Sequence, residues 1–89
     1  QTALMVAAIG AHADIVRQIV EQGADIDTRS EASWTALMLA SDHGHLSVVK
    51  ILVGHGAKVS RRDRKGRDAL VLAQRRGHTQ VVNFLRQQG

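Results

Sequence analysis

Short apolar runs alternate with polar stretches along this chain, and one run recurs three times. "TALMVA" begins at Thr2, "TALMLA" at Thr35 and "DALVLA" at Asp68, at a constant interval of 33 residues. Each copy leads to a histidine, then to an apolar pair, and then to a glycine at the same offset. A pattern repeated over the whole chain predicts an architecture of similar units that stack on their neighbours.

Each unit is predicted to contain two short helices. Thr2, Thr35 and Asp68 precede apolar runs, and their side-chain oxygens suit the N-cap position of a helix. In the second unit, "ALMLASDH" forms the predicted first helix, which ends at Gly44, and "LSVVKILVGH" forms the second, which ends at Gly56. Helices this short are marginal alone in water, so stacking between units must bury their apolar faces.

These residues resemble the ankyrin repeat family, whose pattern runs roughly D-x-x-G-x-T-P-L-H-x-A-A-x-x-G-H, then an apolar helix, then G-A-D. The matching segments are "TALMLA", "GHLSVV", "DRKG", "GADI" and "GAKV". The resemblance covers essentially the whole chain. It implies an all-α ankyrin-repeat solenoid of stacked helix-turn-helix units joined by hairpin-like loops. We expect one domain over 1–89, with units at about 1–29, 30–62 and 63–89.

A few positions depart from the family pattern. The family proline is alanine in all three units, and a family glycine is replaced by Ala11 in the first unit and by Ser33 before the second. In the third unit, Gln74 and Arg86 occupy positions that hold smaller or apolar residues in the other units. Polar residues at stacking positions are typical of a terminal unit, so we expect the third unit to be a C-terminal cap.

The composition narrows the class of protein further. With 89 residues the chain is one domain at most. It contains no cysteine, so disulfides and thiol chemistry are excluded and nothing favours an oxidising compartment. No apolar run approaches the roughly 18 residues of a membrane span. We therefore expect a soluble protein of the cytoplasm or the nucleus, without membrane insertion.

The charge changes sign along the chain. Residues 1–29 carry a net charge of −2, residues 30–62 carry +2 and residues 63–89 carry +4, which gives the overall +4. The basic residues are concentrated in the stretch "RRDRKGRDALVLAQRRGH" of the third unit. Such a cluster is either a contact surface for an acidic partner or a solvated scaffold surface, and the direction of the side chains decides between the two.

The five histidines raise the question of a metal or catalytic site. His12, His45 and His78 recur at one offset, where the family resemblance implies a framework role. Asp42 and His43, followed by Gly44 and His45, make only a weak ligand pattern, since two histidines two residues apart at a helix end seldom converge on a metal. The sequence has no phosphate-binding glycine loop and no paired carboxylates in an apolar pocket. We expect neither an enzyme nor a cofactor site.

The resemblance implies a binding surface instead, formed by the hairpin tips and the exposed side of the first helices. An exposed Trp34 flanked by arginines is typical of an interface hot spot, although a tryptophan there can also simply pack on the adjacent tip. The arginines and Lys65 of the third unit suit carboxylates or phosphates of a partner. The candidate partner-binding residues are Glu31, Trp34, Asp42, His43, Arg64, Lys65, Arg67, Arg75 and Arg76.

Three functions compete for this sequence. The first is a protein-interaction module whose groove binds an acidic segment or domain of another protein. The second is an architectural segment of a larger protein, with the contacts made elsewhere. Nucleic-acid binding comes last: the basic third unit permits it, but the chain lacks stacking aromatics and a recognition-helix motif, and its first unit is acidic. The sequence indicates no oligomeric state.

Overall fold

A computed structural model describes residues 2–30 and 32–88. Within them the chain forms helices only, in three successive pairs, which confirms the predicted all-α class. The first helices of the pairs have seven or eight residues, and the second helices have nine or ten. The six helices are α1 (Ala3–Ile9), α2 (Ala13–Glu21), α3 (Ala36–Asp42), α4 (Leu46–Gly54), α5 (Ala69–Arg76) and α6 (Thr79–Gln88).

The first helix of every pair begins at the predicted cap. Thr2 Oγ1 accepts a hydrogen bond from the Met5 amide at 3.1 Å, and Thr35 Oγ1 does the same for Met38 at 3.3 Å. The equivalent bond in the third pair joins the amide of Val71 to an Asp68 carboxylate oxygen at 2.9 Å. Each side chain satisfies one of the amides that a helix start leaves without a partner.

The six helices stack in two layers. Helices α1, α3 and α5 contact one another in sequence and form one layer, while α2, α4 and α6 form the other. Each first helix also packs against the second helix of its own pair. The principal helix contacts therefore lie within a pair or between adjacent pairs, which is the pattern of a solenoid.

Small side chains allow the layers to approach closely. Ala7, Ala40 and Ala73 are one repeat apart, and all three are buried against the neighbouring helices. Larger residues such as Leu37 and Leu52 fill the space between the layers and are at most 2% exposed. The core therefore consists of aliphatic side chains, as the near absence of aromatic residues in the sequence requires.

The turn inside each pair needs a left-handed residue. Gly44 and Gly77 end the first helices of the second and third pairs, each with φ of 73°. The equivalent residue of the first pair is Ala11, which adopts φ of 60° in spite of its Cβ. A non-glycine residue in this region is strained by roughly 1–2 kcal/mol, so the first unit holds a turn that its sequence does not favour.

Hairpin-like tips connect the pairs, as the family resemblance implied. In the second tip, the Ser30 amide donates to the Trp34 carbonyl at 2.8 Å, and in the third the Asp63 amide donates to the Arg67 carbonyl at 2.9 Å. Ser33 has φ of 64° where the third tip has Gly66 at 76°. At their described residues the two tips therefore share a closing hydrogen bond and a left-handed residue, which is glycine only in the third tip.

Exposure differs between the end units and the middle unit. Ile15 on α2 is 48% exposed, whereas Val48 and Val81, its equivalents on α4 and α6, are at most 1% exposed. In the third unit, Gln74 and Arg86 are exposed, as expected for side chains on an outer face. The exact unit boundaries and the cap role of the third unit stay predictions.

Candidate functional site

Asp63 organises the tip of the third unit. The residue is 7% exposed, and Oδ1 accepts hydrogen bonds from the amides of Lys65 and Arg67, both at 2.9 Å. Its carbonyl accepts a further bond from the amide of Gly66 at 3.0 Å. This network closes the turn around one buried carboxylate and directs Arg64 and Lys65 outward, where both are exposed.

The same carboxylate joins the second and third tips. Trp34 Nε1–H donates to Asp63 Oδ2 at 3.0 Å, and Arg67 Nε donates to that oxygen at 2.9 Å. The Arg67 guanidinium carbon lies 5.8 Å from the centre of the Trp34 ring, a cation–π distance. Trp34 is therefore half-buried and not freely exposed, because its indole packs across to the neighbouring tip.

These contacts change the acidity of Asp63. Burial of the carboxyl group raises its pKa, but the hydrogen bonds from the Arg67 and Lys65 amides and from the Arg67 side chain lower it more, so the net pKa lies below the usual 3.8. The positive charge of Arg67 acts in the same direction. Asp63 is accordingly held as a carboxylate that fixes both tips.

The five predicted cations of the third unit fall into two groups. Arg67 pairs with Asp63 at 2.9 Å and Arg76 pairs with Asp42 at 3.2 Å. Among the described residues, Arg64, Lys65 and Arg75 have no carboxylate within 4.0 Å, and all three are exposed. Among the described residues, positive charge is therefore neutralised at Arg67 and Arg76 and left without a carboxylate partner at Arg64, Lys65 and Arg75.

Asp42 and His43 end helix α3, at the junction with the third unit. Asp42 is 8% exposed, and its carboxylate accepts a hydrogen bond from Arg76 Nε, so this side chain is largely engaged within the fold. His43 is exposed, with Nδ1 2.9 Å from the Leu39 carbonyl oxygen. Glu31, the remaining candidate, lies outside the described residues.

Two of the three repeated histidines bridge adjacent units. His45 Nε2 lies 2.9 Å from the carbonyl oxygen of Ile9, and His78 Nε2 lies 2.8 Å from that of Asp42. Each ring satisfies a carbonyl at the end of the preceding first helix, which confirms the framework role of both residues. His12 is exposed. Across residues 2–30 and 32–88, no group of three or more potential ligands could hold a metal ion.

A family model for ankyrin repeats in three copies matches residues 1–63. The chain belongs to the ankyrin repeat family. Ankyrin repeats are generally protein–protein interaction modules, and the family is typically not enzymatic. No curated protein matches the sequence. Within the described part of the chain, no helix is long and apolar enough to cross a membrane.

The ankyrin tips also enclose a feature that sequence reasoning missed. A pocket of about 230 Å³ lies between the second and third tips. In the sequence, Asp63 is only the first residue of the family turn "DRKG". Its contact with Trp34, 29 residues earlier, leaves no signal in the local sequence. The lining residues of the pocket are Ala32, Trp34, Asp63, Arg64, Lys65 and Arg67.

Proposed function

We propose that this ankyrin domain binds an acidic segment or domain of another protein through its hairpin tips and the adjoining ends of the first helices. The observation that carries the proposal is the set of three exposed cations, Arg64, Lys65 and Arg75, which meet no carboxylate among the described residues. Cations left in this way attract carboxylates and speed the encounter with an acidic partner.

The residues that already contact one another within the fold contribute to the same surface by fixing its shape. The Trp34–Asp63–Arg67 contact fixes the two tips relative to each other before any partner arrives. A surface ordered in advance loses less conformational entropy on binding than a mobile one. Under this proposal, Arg67 and Arg76 are structural, and Arg64, Lys65 and Arg75 make the principal charge contacts. We assign the domain no catalytic role and place it in the cytoplasm or the nucleus, a setting supported by its lack of cysteine.

A capture experiment with matched variants tests the proposal. The wild-type domain is compared with the triple variant Arg64→Glu, Lys65→Glu and Arg75→Glu in nuclease-treated lysate. The control is Lys50→Glu, Lys58→Glu and Arg86→Glu, which changes the net charge equally at exposed positions elsewhere. Proteins captured by the wild type and the control but lost by the tip variant would support the proposal.

Other outcomes separate the competing functions. Equal losses in both triple variants would show that only net charge matters, and equal capture by all three proteins would favour an architectural segment. Capture that disappears on nuclease treatment would point to nucleic acid. A partner that the wild type and the control capture and the tip variant loses should also bind more slowly as the salt concentration rises. Salt screens the attraction between exposed charges that speeds the encounter.

A further inference from the structure

The pocket between the second and third tips combines an apolar interior with a basic rim. Most of its exposed wall is apolar, and its lining includes Ala32, Trp34 and the long side chains of the neighbouring cations. Its volume of about 230 Å³ is enough for one branched aliphatic side chain. Arg64 and Lys65, at the rim, are exposed.

The carboxylate beside the pocket is already engaged. Asp63 accepts hydrogen bonds from the Trp34 indole, the Arg67 side chain and two backbone amides, and among the described residues it is the only carboxylate that lines the pocket. A polar group entering the pocket would lose water without gaining a free partner there, whereas an apolar group would only leave water. The interior therefore favours an apolar occupant, and the rim favours a negative charge beside it.

We infer that this pocket binds one aliphatic side chain of the acidic partner segment, while carboxylates next to that side chain contact Arg64 and Lys65. The inference rests on the proposed function and adds a requirement to it: the partner needs an apolar residue within its acidic stretch. Charge then brings the segment to the tips, and the apolar residue determines which acidic segments are retained.

Three synthetic peptides of equal length test this requirement. The first has a single leucine flanked by two aspartates on each side. The second replaces the leucine by serine, and the third keeps the leucine but replaces the aspartates by asparagines. Trp34 is the only tryptophan of the chain, so its indole N–H signal in NMR titrations reports directly on the pocket wall.

The leucine–aspartate peptide is expected to bind at least about tenfold more tightly than the serine peptide and to shift the Trp34 indole signal. Equal binding of these two peptides would overturn the pocket inference and leave the proposed function standing. If the asparagine peptide bound as tightly as the aspartate peptide, the proposed role of charge would fail instead. Absence of binding by all three at millimolar concentration would contradict both proposals.

A pair of variants locates the binding event. Ala32→Leu fills the pocket from its wall without changing the charge, and it should abolish the preference for leucine over serine while weak binding of both acidic peptides remains. The matched control is Ala24→Leu, at an exposed alanine in the preceding loop, which should keep the full preference. Retention of the preference by Ala32→Leu would show that leucine binds elsewhere. Far-UV circular dichroism confirms that both variants are folded.

Discussion

The imidazole ring of His78 lies directly against Gly44. A Cβ atom added to Gly44 would lie 2.5 Å from His78 Nδ1 and 2.7 Å from Cε1, closer than real Cβ atoms come to other atoms. The ring is held there by its contact with the Asp42 carbonyl at 2.8 Å. Gly44 thus suits both the left-handed turn and the close approach of the bridging histidine of the next unit.

Gly44→Ala should therefore destabilise the domain more than the same change at Gly77. Both glycines have φ of 73°, but a Cβ on Gly77 would meet no atom within 4 Å. We expect Gly77→Ala to cost about 1 kcal/mol for backbone strain alone, and Gly44→Ala to cost more, because the His78 ring must shift away from the added Cβ. Urea unfolding followed at 222 nm measures both, and equal losses would contradict the proposed steric contact.

Glycine at the two strained positions should have the opposite effect. Ala11 and Ser33 adopt φ of 60° and 64°, a region that glycine enters without a steric penalty. Ala11→Gly and Ser33→Gly should each stabilise the domain by about 0.5–1 kcal/mol, since the relieved strain exceeds the entropy cost of glycine. The control Ala13→Gly, at the first residue of helix α2 where no strain is relieved, should be destabilising. If Ala11→Gly destabilised the domain as much as the control, the strain at this turn would be disproved.

The lowered pKa of Asp63 predicts a pH-dependent contribution to stability. Because the folded-state pKa lies below 3.8, the ionised carboxylate stabilises the fold above that pH, and the contribution is lost as the pH falls through the folded-state pKa. The stability difference between wild type and Asp63→Asn should accordingly be largest near neutral pH and shrink as the pH falls below 3.8. Urea unfolding at a series of pH values tests this, and a constant difference would argue against the Asp63 contacts.

The two adjacent arginines of α5 should respond differently to charge reversal. Arg75→Glu places a carboxylate at an exposed position with no charged partner among the described residues, and the expected change in stability lies within about 0.5 kcal/mol. Arg76→Glu places it beside Asp42, which is 8% exposed, and should cost about 1 kcal/mol or more. Thermal unfolding of the two variants gives the comparison, and equal stability would mean that the Arg76–Asp42 pair contributes nothing.

The fold could be predicted from the sequence because its signals are local and occur three times. Thr35 before an apolar run and Gly44 after it mark the two ends of α3, and both act within one turn of their own position. The resemblance of these segments to the ankyrin repeat family then predicted that the helix pairs stack on one another. The turn also forms in the first unit, where Ala11 replaces the glycine of the other units.

The candidate site was harder to predict because its contacts join distant residues. Trp34 and Asp63 are 29 residues apart, and Asp42 and Arg76 are 34 apart. The sequence predicted cations at the tips but not their partners: Arg67 pairs with Asp63 of its own tip, whereas Arg76 pairs with Asp42 of the preceding unit. Among the described residues, Arg75 meets no carboxylate. For Trp34 the sequence left open both an exposed hot spot and packing on the adjacent tip, since its hydrogen-bond partner Asp63 lies in the next unit.

The side chains that cross from the second unit to the third also limit how this array can be rebuilt. Trp34 needs the carboxylate of Asp63, and the end of α3 needs both Arg76 and His78. A generic repeat grafted in place of either unit would leave one of these groups without its counterpart. Recombination or engineering that moves the two units together as a cassette preserves the junction, whereas the boundary between them is a poor place to cut.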